Sequence, residues 1–319
     1  MSPDRREFLG RATGAVAATA LGSATAACGP TPARNSAPAP GPAPAPGPFQ
    51  LSLAEWSLHR AIRSGRLDPL DFAPYARERF GLDAVEHVNQ FFIERAADDA
   101  YLREMRRRAD DAGVRSLLIM CDLEGALGDP DDDARLRAVE NHYKWVEAAS
   151  VLGCHAIRVN ADSAGDFEEQ QRLAADGIRR LADFAEGHDI DVLVENHGGL
   201  SNHGAWLAGL IRRVHHPRVA TLADFGNWEY APGEWYDRYR GVEELMPVAR
   251  AVSAKSFDFD ASGNETTIDY ERMMDLVLDA GYSGYVGIEY EGNRLSEEEG
   301  IRATQRLLER VGRSLAEPR

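Results

Sequence analysis

The stretch VLVENH, residues 192–197, is a short apolar run that ends in the charged residue Glu195. Three similar stretches follow, each about one strand and one helix further along: VATLAD at 219–224, AVSAKS at 251–256 and VGIEYE at 286–291. Buried parallel strands are typically continuous apolar runs, and α/β barrels keep their chemistry at the carboxyl ends of the strands. The pattern therefore predicts a cluster at one barrel mouth formed by Glu195, Asp224, Lys255 and Glu289.

Apolar runs of strand length recur eight times, at 50–53, 82–85, 116–121, 156–159, 192–194, 219–223, 251–254 and 285–288. The segments between them have helical spacing, as in Phe72, Tyr75, Ala76 and Phe80. Alternating strands and helices indicate parallel strands with right-handed crossovers. No glycine-rich phosphate loop follows the first run, which disfavours a doubly wound open sheet. The prediction is an α/β fold of the (β/α)8 TIM barrel type.

The first 48 residues differ in composition from the rest. Residues 1–28 contain the pair Arg5-Arg6 and then a weakly apolar stretch, which is typical of a Tat-type signal peptide. Two outcomes stay open: lipidation of Cys28, which would tether the protein to a membrane, or cleavage near Ala27, which would release it into the periplasm. Residues 29–48 alternate Pro, Ala and Gly and read as an extended linker. The single barrel domain is expected at 49–319.

The net charge of −16 argues against nucleic acid as a partner, because phosphates need a basic footprint. Two cysteines remain after the signal, Cys121 and Cys154. If they belong to adjacent parallel strands, one thiol lies at the top of the barrel and the other at the bottom. Such a separation is too large for a bridge, so no disulfide is expected.

Glu195 and Glu289 are the candidate acid/base pair. Two carboxylates that face each other across a small barrel can remove a proton from one face of a carbon and return it on the other. Asp224 adds a third carboxylate, and three converging carboxylates form a site for a hard divalent metal, Mn²⁺ or Mg²⁺. The alternative is that these acids are only solvated charges at the rim.

Lys255 is one of only two lysines in the chain, although the sequence has 36 Lys and Arg residues together. A compact ammonium at a strand end could stabilise an enolate oxygen or neutralise the carboxylates. The alternative is a structural ion pair with Asp224 or Glu289.

Polar and aromatic residues near other strand ends are candidates for sugar binding: Trp56, Glu86, His87, Asn160, His197 and Asn227. The segment after Asp224 adds five aromatic residues within residues 228–239. Aromatic side chains at a barrel mouth suit stacking on the apolar face of a sugar ring. The expected partner is therefore a small sugar or keto-sugar.

Three motifs resemble one known family: VENH at 194–197, ADFGN at 223–227 and GIEYE at 287–291. They are similar to the sugar phosphate isomerase/epimerase family, a group of xylose isomerase-like TIM barrels in the AP endonuclease 2 superfamily. The resemblance extends from about Leu51 to Val311 and includes SLAEWS at 52–57, which is similar to an exported subgroup.

The resemblance implies four metal ligands in the order Glu, Asp, His, Glu. Glu195, Asp224 and Glu289 match the first, second and fourth, whereas Ser253 stands where the histidine is expected. Asn227 likewise stands where many members have a substrate-binding histidine. Either a divalent ion binds more weakly, with His197 or water completing its shell, or Lys255 replaces its charge.

The expected function is sugar isomerisation or epimerisation by proton abstraction next to a carbonyl. One alternative is a lyase or hydratase that acts on a 3-keto-glycoside through the same enolate. The other is a non-catalytic periplasmic sugar-binding protein.

Overall fold

The computed structural model describes residues 47–316. The expected signal peptide with Arg5, Arg6 and Cys28 lies outside the described residues, as does the linker up to residue 46. The last three residues of the expected barrel domain are also outside them.

Eight parallel strands form a closed barrel, which confirms the predicted (β/α)8 architecture. They are β1 Gln50–Ala54, β2 Ala84–Val88, β3 Arg115–Met120, β4 Ala156–Val159, β5 Asp191–Glu195, β6 Val219–Asp224, β9 Ala249–Ser256 and β10 Tyr285–Tyr290. The order around the barrel follows the chain, and β10 closes the ring by pairing with β1. A small hairpin of β7, Glu229–Ala231, and β8, Glu234–Trp235, lies between β6 and β9.

Helices connect the strands and cover the barrel. They are α1 His59–Arg63, α2 Phe72–Phe80, α3 Asp99–Asp111, α4 Asp132–Leu152, α5 Phe167–Glu186, α6 Gly204–Val214, α7 Arg238–Leu245, α8 Tyr270–Asp279 and α9 Glu297–Ala316. Before α9, Ser296 and Glu299 exchange the two hydrogen bonds of a capping box. Within residues 47–316, none of the helices combines the length and the apolarity needed to span a bilayer.

The apolar residues form two clusters. The larger one fills the space between the strands and the surrounding helices. The smaller one lies inside the barrel and is rich in small side chains, such as Ala54, Ala156, Ala220 and Ala251, with Leu193 and a few other larger residues. Small residues in the floor leave room above it for long charged side chains. The barrel can therefore be close-packed at its floor and polar at its mouth.

The second strand differs from its predicted position at 82–85. The amide of Leu82 still donates to the carbonyl of Ala76 at the end of α2, and Gly81 is left-handed with φ 72°. Pairing therefore begins only at Ala84 and continues to Val88. The strand therefore extends past its predicted end, so that Glu86 and His87 lie within β2 and Val88 is its last residue.

Cys121 and Cys154 are both buried, and both are free thiols. Cys121 directly follows β3, and Cys154 precedes β4. Their positions agree with the expectation that one lies at the top of the barrel and the other at the bottom.

Candidate active site at the barrel mouth

The structure brings Glu195, Asp224 and Glu289 together. Each has one carboxylate oxygen within 4.8 Å of such an oxygen from the other two, and all three side chains are buried. Glu195 and Asp224 are the last residues of β5 and β6, and Glu289 is the penultimate residue of β10. Strand ends of equal height around a barrel converge on its axis, so the regular spacing in the sequence becomes a cluster in space.

Lys255 pairs with two members of this cluster and with a third carboxylate, that of Glu291. Its Nζ is 3.1 Å from Glu289 Oε1, 3.2 Å from Glu291 Oε2 and 3.9 Å from Asp224 Oδ2. Burial alone would lower the pKa of Lys255, but the surrounding carboxylates, Glu289 foremost, raise it well above the usual value. Lys255 is therefore a permanent cation at the mouth.

A second buried cation, Arg158 in the middle of β4, was not among the predicted site residues. Its Nε is 2.7 Å from Glu195 Oε2, and its Nη1 donates to Asp122 Oδ1 at 2.7 Å. The same Asp122 oxygen accepts a hydrogen bond from Asn160 at 2.9 Å. The sequence does carry a signal for Arg158: it interrupts the apolar run of β4 at an inward-facing position. The mouth thus has one cation for each of the two candidate catalytic carboxylates.

The two carboxyl groups of the predicted pair have opposite pKa shifts. Burial raises the pKa of Glu195 to about 7, against the opposing effect of Arg158. Burial also acts on Glu289, but Lys255 and a hydrogen bond from Ser253 Oγ, 2.7 Å from Oε2, leave its pKa lowered. Near neutral pH, Glu289 is therefore an ionised base while Glu195 can hold a proton. Opposite shifts in a pair of carboxyls are a frequent basis for acid and base roles.

Asp224 has the environment expected of a metal ligand. Its Oδ1 accepts hydrogen bonds from the amides of Gly226 and Asn227, at 2.7 and 2.8 Å. Its Oδ2 is buried and accepts no hydrogen bond within the described residues, and burial raises the pKa of Asp224 to about 7. Glu195 Oε2 is likewise buried and accepts no hydrogen bond in the described part of the chain, although it lies 2.7 Å from Arg158 Nε. Three converging carboxylates, two of them with such an oxygen, fit a hard divalent cation that completes its shell with water.

Ser253 supplies no fourth ligand nitrogen at this site. Its hydroxyl lies inside the barrel and donates to Glu289, so it orients that carboxylate. The residue in the position where the resemblance implies a histidine therefore acts on a neighbouring carboxylate. The metal-ligand set offered by the described residues is the carboxylate triad.

A cavity of about 520 Å³ opens beside the cluster, within the usual size range of ligand pockets. Three of the predicted substrate-binding residues line it: Trp56, Asn160 and His197. His197 is exposed to the cavity, and desolvation together with the positive Arg158 and Lys255 lowers its pKa. It is therefore available as a neutral imidazole that can donate or accept a hydrogen bond.

Two other predicted contacts, Glu86 and His87, do not line this cavity. Glu86 points into the barrel below the mouth, where its Oε1 accepts a hydrogen bond from Ser52 at 2.6 Å and burial raises its pKa to about 7. His87 faces the other side of the sheet, edge-on to Phe72 and hydrogen-bonded to Ser116 at 2.9 Å. Successive strand residues point to opposite faces, so only one of the two could have faced the substrate.

Asn227 and most of the aromatic residues after Asp224 make contacts within the protein. The Asn227 amide lies near Glu195, with 3.4 Å from Nδ2 to Oε1. Trp228 is completely buried, and its indole donates to the carbonyl of Phe225. Tyr236 is partly buried and donates to Glu244. Of the five aromatic residues in 228–239, only Trp235 is exposed. Of these five, it is therefore the residue best placed to stack on a sugar ring.

Comparison with known proteins gives one local and several global similarities. Over 66 residues, 21% of this chain, the sequence is 35% identical to the C-glycoside deglycosidase alpha subunit of Arthrobacter globiformis. That match spans only 17% of the relative's length. The fold is similar to 3-keto-D-glucoside 4-epimerase YcjR from E. coli, with a TM-score of 0.61 and 17% identity over 76% of this chain and 94% of the other.

The fold is also similar to the IOLI protein with a bound zinc atom, with a TM-score of 0.64 and 13% identity over 83% of this chain and 99% of the other. At these identities the structural similarity establishes the fold. The family is established by the sequence, because residues 75–311 match the group described as xylose isomerase-like TIM barrel. The chain belongs to this AP_endonuc_2 family.

Proposed function

We propose that the chain is a sugar isomerase or epimerase that removes a proton next to a carbonyl group. The observation that carries the proposal is geometric: two buried carboxyls, Glu195 and Glu289, meet at one barrel mouth, and each lies beside its own cation, Arg158 or Lys255. A base and an acid on different sides of one carbon are what a proton abstraction and return requires. The names of the sugar epimerases with a similar fold support this choice.

In the proposed mechanism, Glu289 takes the proton from the carbon next to the carbonyl. The electron pair moves onto the carbonyl oxygen, and the ammonium of Lys255 stabilises the resulting enolate. Glu195, whose pKa is raised to about 7, returns a proton to carbon from its protonated form. For an epimerisation this proton arrives on the opposite face. For an isomerisation it is delivered to the former carbonyl carbon, and the hydroxyl proton of the neighbouring carbon moves to the former carbonyl oxygen, so that the carbonyl group changes place. Arg158 keeps Glu195 in position.

A metal is compatible with the same arrangement. Glu195, Asp224 and Glu289 would hold a divalent cation, which would polarise the substrate oxygens. Trp56, Asn160, His197 and Asn227 would orient the sugar hydroxyls.

The test is NMR of ketoses and 3-keto-glycosides in D₂O with the purified chain, with and without Mn²⁺. Enzyme-dependent deuterium incorporation next to the carbonyl is the expected result. Absence of exchange on every substrate, with tight sugar binding by a folded protein, would contradict the proposal and favour a sugar-binding protein.

A lyase acting on a 3-keto-glycoside is the second candidate. The local similarity to a C-glycoside deglycosidase subunit favours it, and elimination from such a substrate passes through the same enolate. The two reactions differ in their products. Release of the aglycone in the NMR experiment would identify a lyase, whereas an intact glycoside with a changed stereocentre would identify an epimerase.

We also propose that the chain works in the periplasm after Tat export. The support is the Arg5-Arg6 pair with the apolar stretch behind it. Changing both arginines to lysine should retain the protein in the cytoplasm, which cell fractionation measures. Equal periplasmic amounts of both versions would contradict Tat export. Labelling with palmitate, compared with a Cys28→Ser variant, tests the lipid anchor.

A further inference from the structure

A second groove adjoins the main cavity, and His197 and Glu291 lie between the two spaces. Its volume is about 360 Å³. Its lining comes from the loops after β5, β6, β9 and β10, and both His197 and Glu291 line the main cavity as well. A ligand that extends past these two residues would therefore occupy both spaces.

Trp235 presents the most exposed aromatic ring of this groove, with 59% of the residue accessible to solvent. The hairpin that carries it is well anchored. Asn202 Nδ2 donates to the carbonyl of Glu229 at 2.8 Å, and the amide of Tyr236 donates to the carbonyl of Trp228 at the same distance. An indole on a fixed hairpin loses little conformational entropy when a ligand stacks on it.

The rest of the lining combines apolar and polar groups. Phe257 adds a second, partly buried aromatic ring, while Asn227, Glu229 and His197 contribute polar side chains. Gly198 has φ 100°, and a Cβ built on it would meet open space, so the backbone itself is accessible there. Aromatic faces beside hydrogen-bonding groups match a pyranose ring, which has an apolar face and an edge of hydroxyls.

We propose that this groove is a subsite for the second sugar ring of a glycoside whose first ring lies in the main cavity, beside Glu289. The proposal rests on the proposed function and deepens it: the substrate class is a two-ring saccharide or longer. Glu229 adds a carboxylate to the groove, whereas the charge of Glu291 is compensated by Lys255 at 3.2 Å, so a phosphorylated ring is disfavoured at this position. The polar lining favours a sugar over a purely aromatic aglycone, because an aromatic ring would leave these groups unpaired.

The test compares binding of cellobiose and methyl glucoside by titration calorimetry to wild type, Trp235→Ala and Trp235→Phe. Cellobiose should bind wild type more tightly than methyl glucoside does. Trp235→Ala should weaken cellobiose binding by about tenfold, as expected for loss of a stacking contact, and leave methyl glucoside within about twofold. Trp235→Phe keeps an aromatic face and should retain most of the affinity. Phe167 is another exposed aromatic residue, and it lies outside the groove lining. Phe167→Ala is therefore the matched control and should change the affinity for neither sugar.

Equal effects of Trp235→Ala on both sugars, or no effect on either, would overturn the proposal. So would a concentration-dependent dimer that Trp235→Ala disrupts, because the indole would then be a contact between copies. Tighter binding of phenyl glucoside than of cellobiose would make the groove an aryl site and also overturn it. Binding is measured without turnover, so a failure of the proton-transfer function leaves this result intact.

Discussion

Arg158 and Glu195 form an ion pair inside the barrel, with 2.7 Å between Nε and Oε2 and both side chains almost completely buried. Arg158 also contacts Asp122, so one guanidinium compensates two carboxylates. Removal of one partner of a buried pair leaves the other uncompensated in a poorly solvated environment, which costs more than loss of a surface pair.

Arg158→Met should lower the free energy of unfolding by about 3–5 kcal/mol, measured by urea denaturation. Arg103→Met is the control, because Arg103 is 70% exposed and its surface pair with Asp99 should contribute little to stability. The double variant Arg158→Met/Glu195→Gln should recover part of the lost free energy of unfolding, because it leaves no uncompensated charge at position 195. Equal, small losses for Arg158→Met and Arg103→Met would contradict a compensating role for Arg158.

Glu289→Gln should abolish deuterium exchange, by on the order of 10²- to 10⁴-fold, because the base is lost. The fold should remain, since the amide oxygen still accepts the hydrogen bond from Ser253. Glu298→Gln, in a partly exposed contact with Tyr75 and Arg79, is the matched control and should exchange at the wild-type rate. Exchange retained by a folded Glu289→Gln protein would exclude Glu289 as the base.

Asp224→Asn should weaken Mn²⁺ binding, measured calorimetrically, by about 100-fold or more. Loss of a residue that only hydrogen-bonds to a metal ligand already lowers the affinity by about 10- to 100-fold, and loss of a ligand should lower it at least as much. Asp258→Asn, a change on the loop after β9 that leaves the triad intact, should bind Mn²⁺ like wild type. Lys255→Met should bind the ion more tightly, because its ammonium competes for Glu289 and Asp224. Unchanged affinity in both Asp224→Asn and Lys255→Met would place the ion elsewhere.

Glu55 gives a pH dependence that is separate from the catalytic residues. Burial raises its pKa to about 8, although Oε2 accepts a hydrogen bond from the Val88 amide at 2.8 Å. The folded chain therefore holds a proton that the unfolded chain has lost between about pH 4.5 and pH 8. Stability from this group is present below that range, falls as the pH rises through it and is absent above pH 8.

Glu55→Gln removes this titration. Relative to wild type, its free energy of unfolding should increase by about 1.4 kcal/mol per pH unit between pH 5 and pH 8 and then level off. Denaturant unfolding at a series of pH values measures the difference. Glu78→Gln, on the exposed face of α2, should show no such trend. A difference between Glu55→Gln and wild type that is constant with pH would show that Glu55 is ionised in the folded chain.

The barrel and its carboxylate cluster could be predicted because both depend on strong local patterns. Apolar runs repeated at regular spacing specify parallel strands, and a charge that closes such a run has to lie at the mouth. Glu195, Asp224 and Glu289 all have this signal. Arg158 has a weaker one, because it lies within a strand, where an inward charge is tolerated only if partners from other strands compensate it.

The sequence-based predictions are wrong where the direction or exposure of a side chain depends on the exact end of a strand or on tertiary packing. A shift of two or three residues in β2 decided whether Glu86 and His87 were assigned to the mouth or to the strand interior. Trp228 and Trp235 are similar in sequence context, yet the hairpin buries one and exposes the other. Such differences depend on long-range contacts that a single sequence pattern does not contain.

The placement of Lys255 also determines how the protein reacts with amine-directed reagents. The chain has two lysines, and Lys144 is 36% exposed whereas the side chain of Lys255 is only 3% exposed. Acylating reagents attack accessible, unprotonated amines, so Lys255 is shielded both by its surroundings and by its retained proton. Acylation at Lys255, read by mass spectrometry, therefore reports opening of the barrel mouth, with Lys144 as an internal standard in the same molecule.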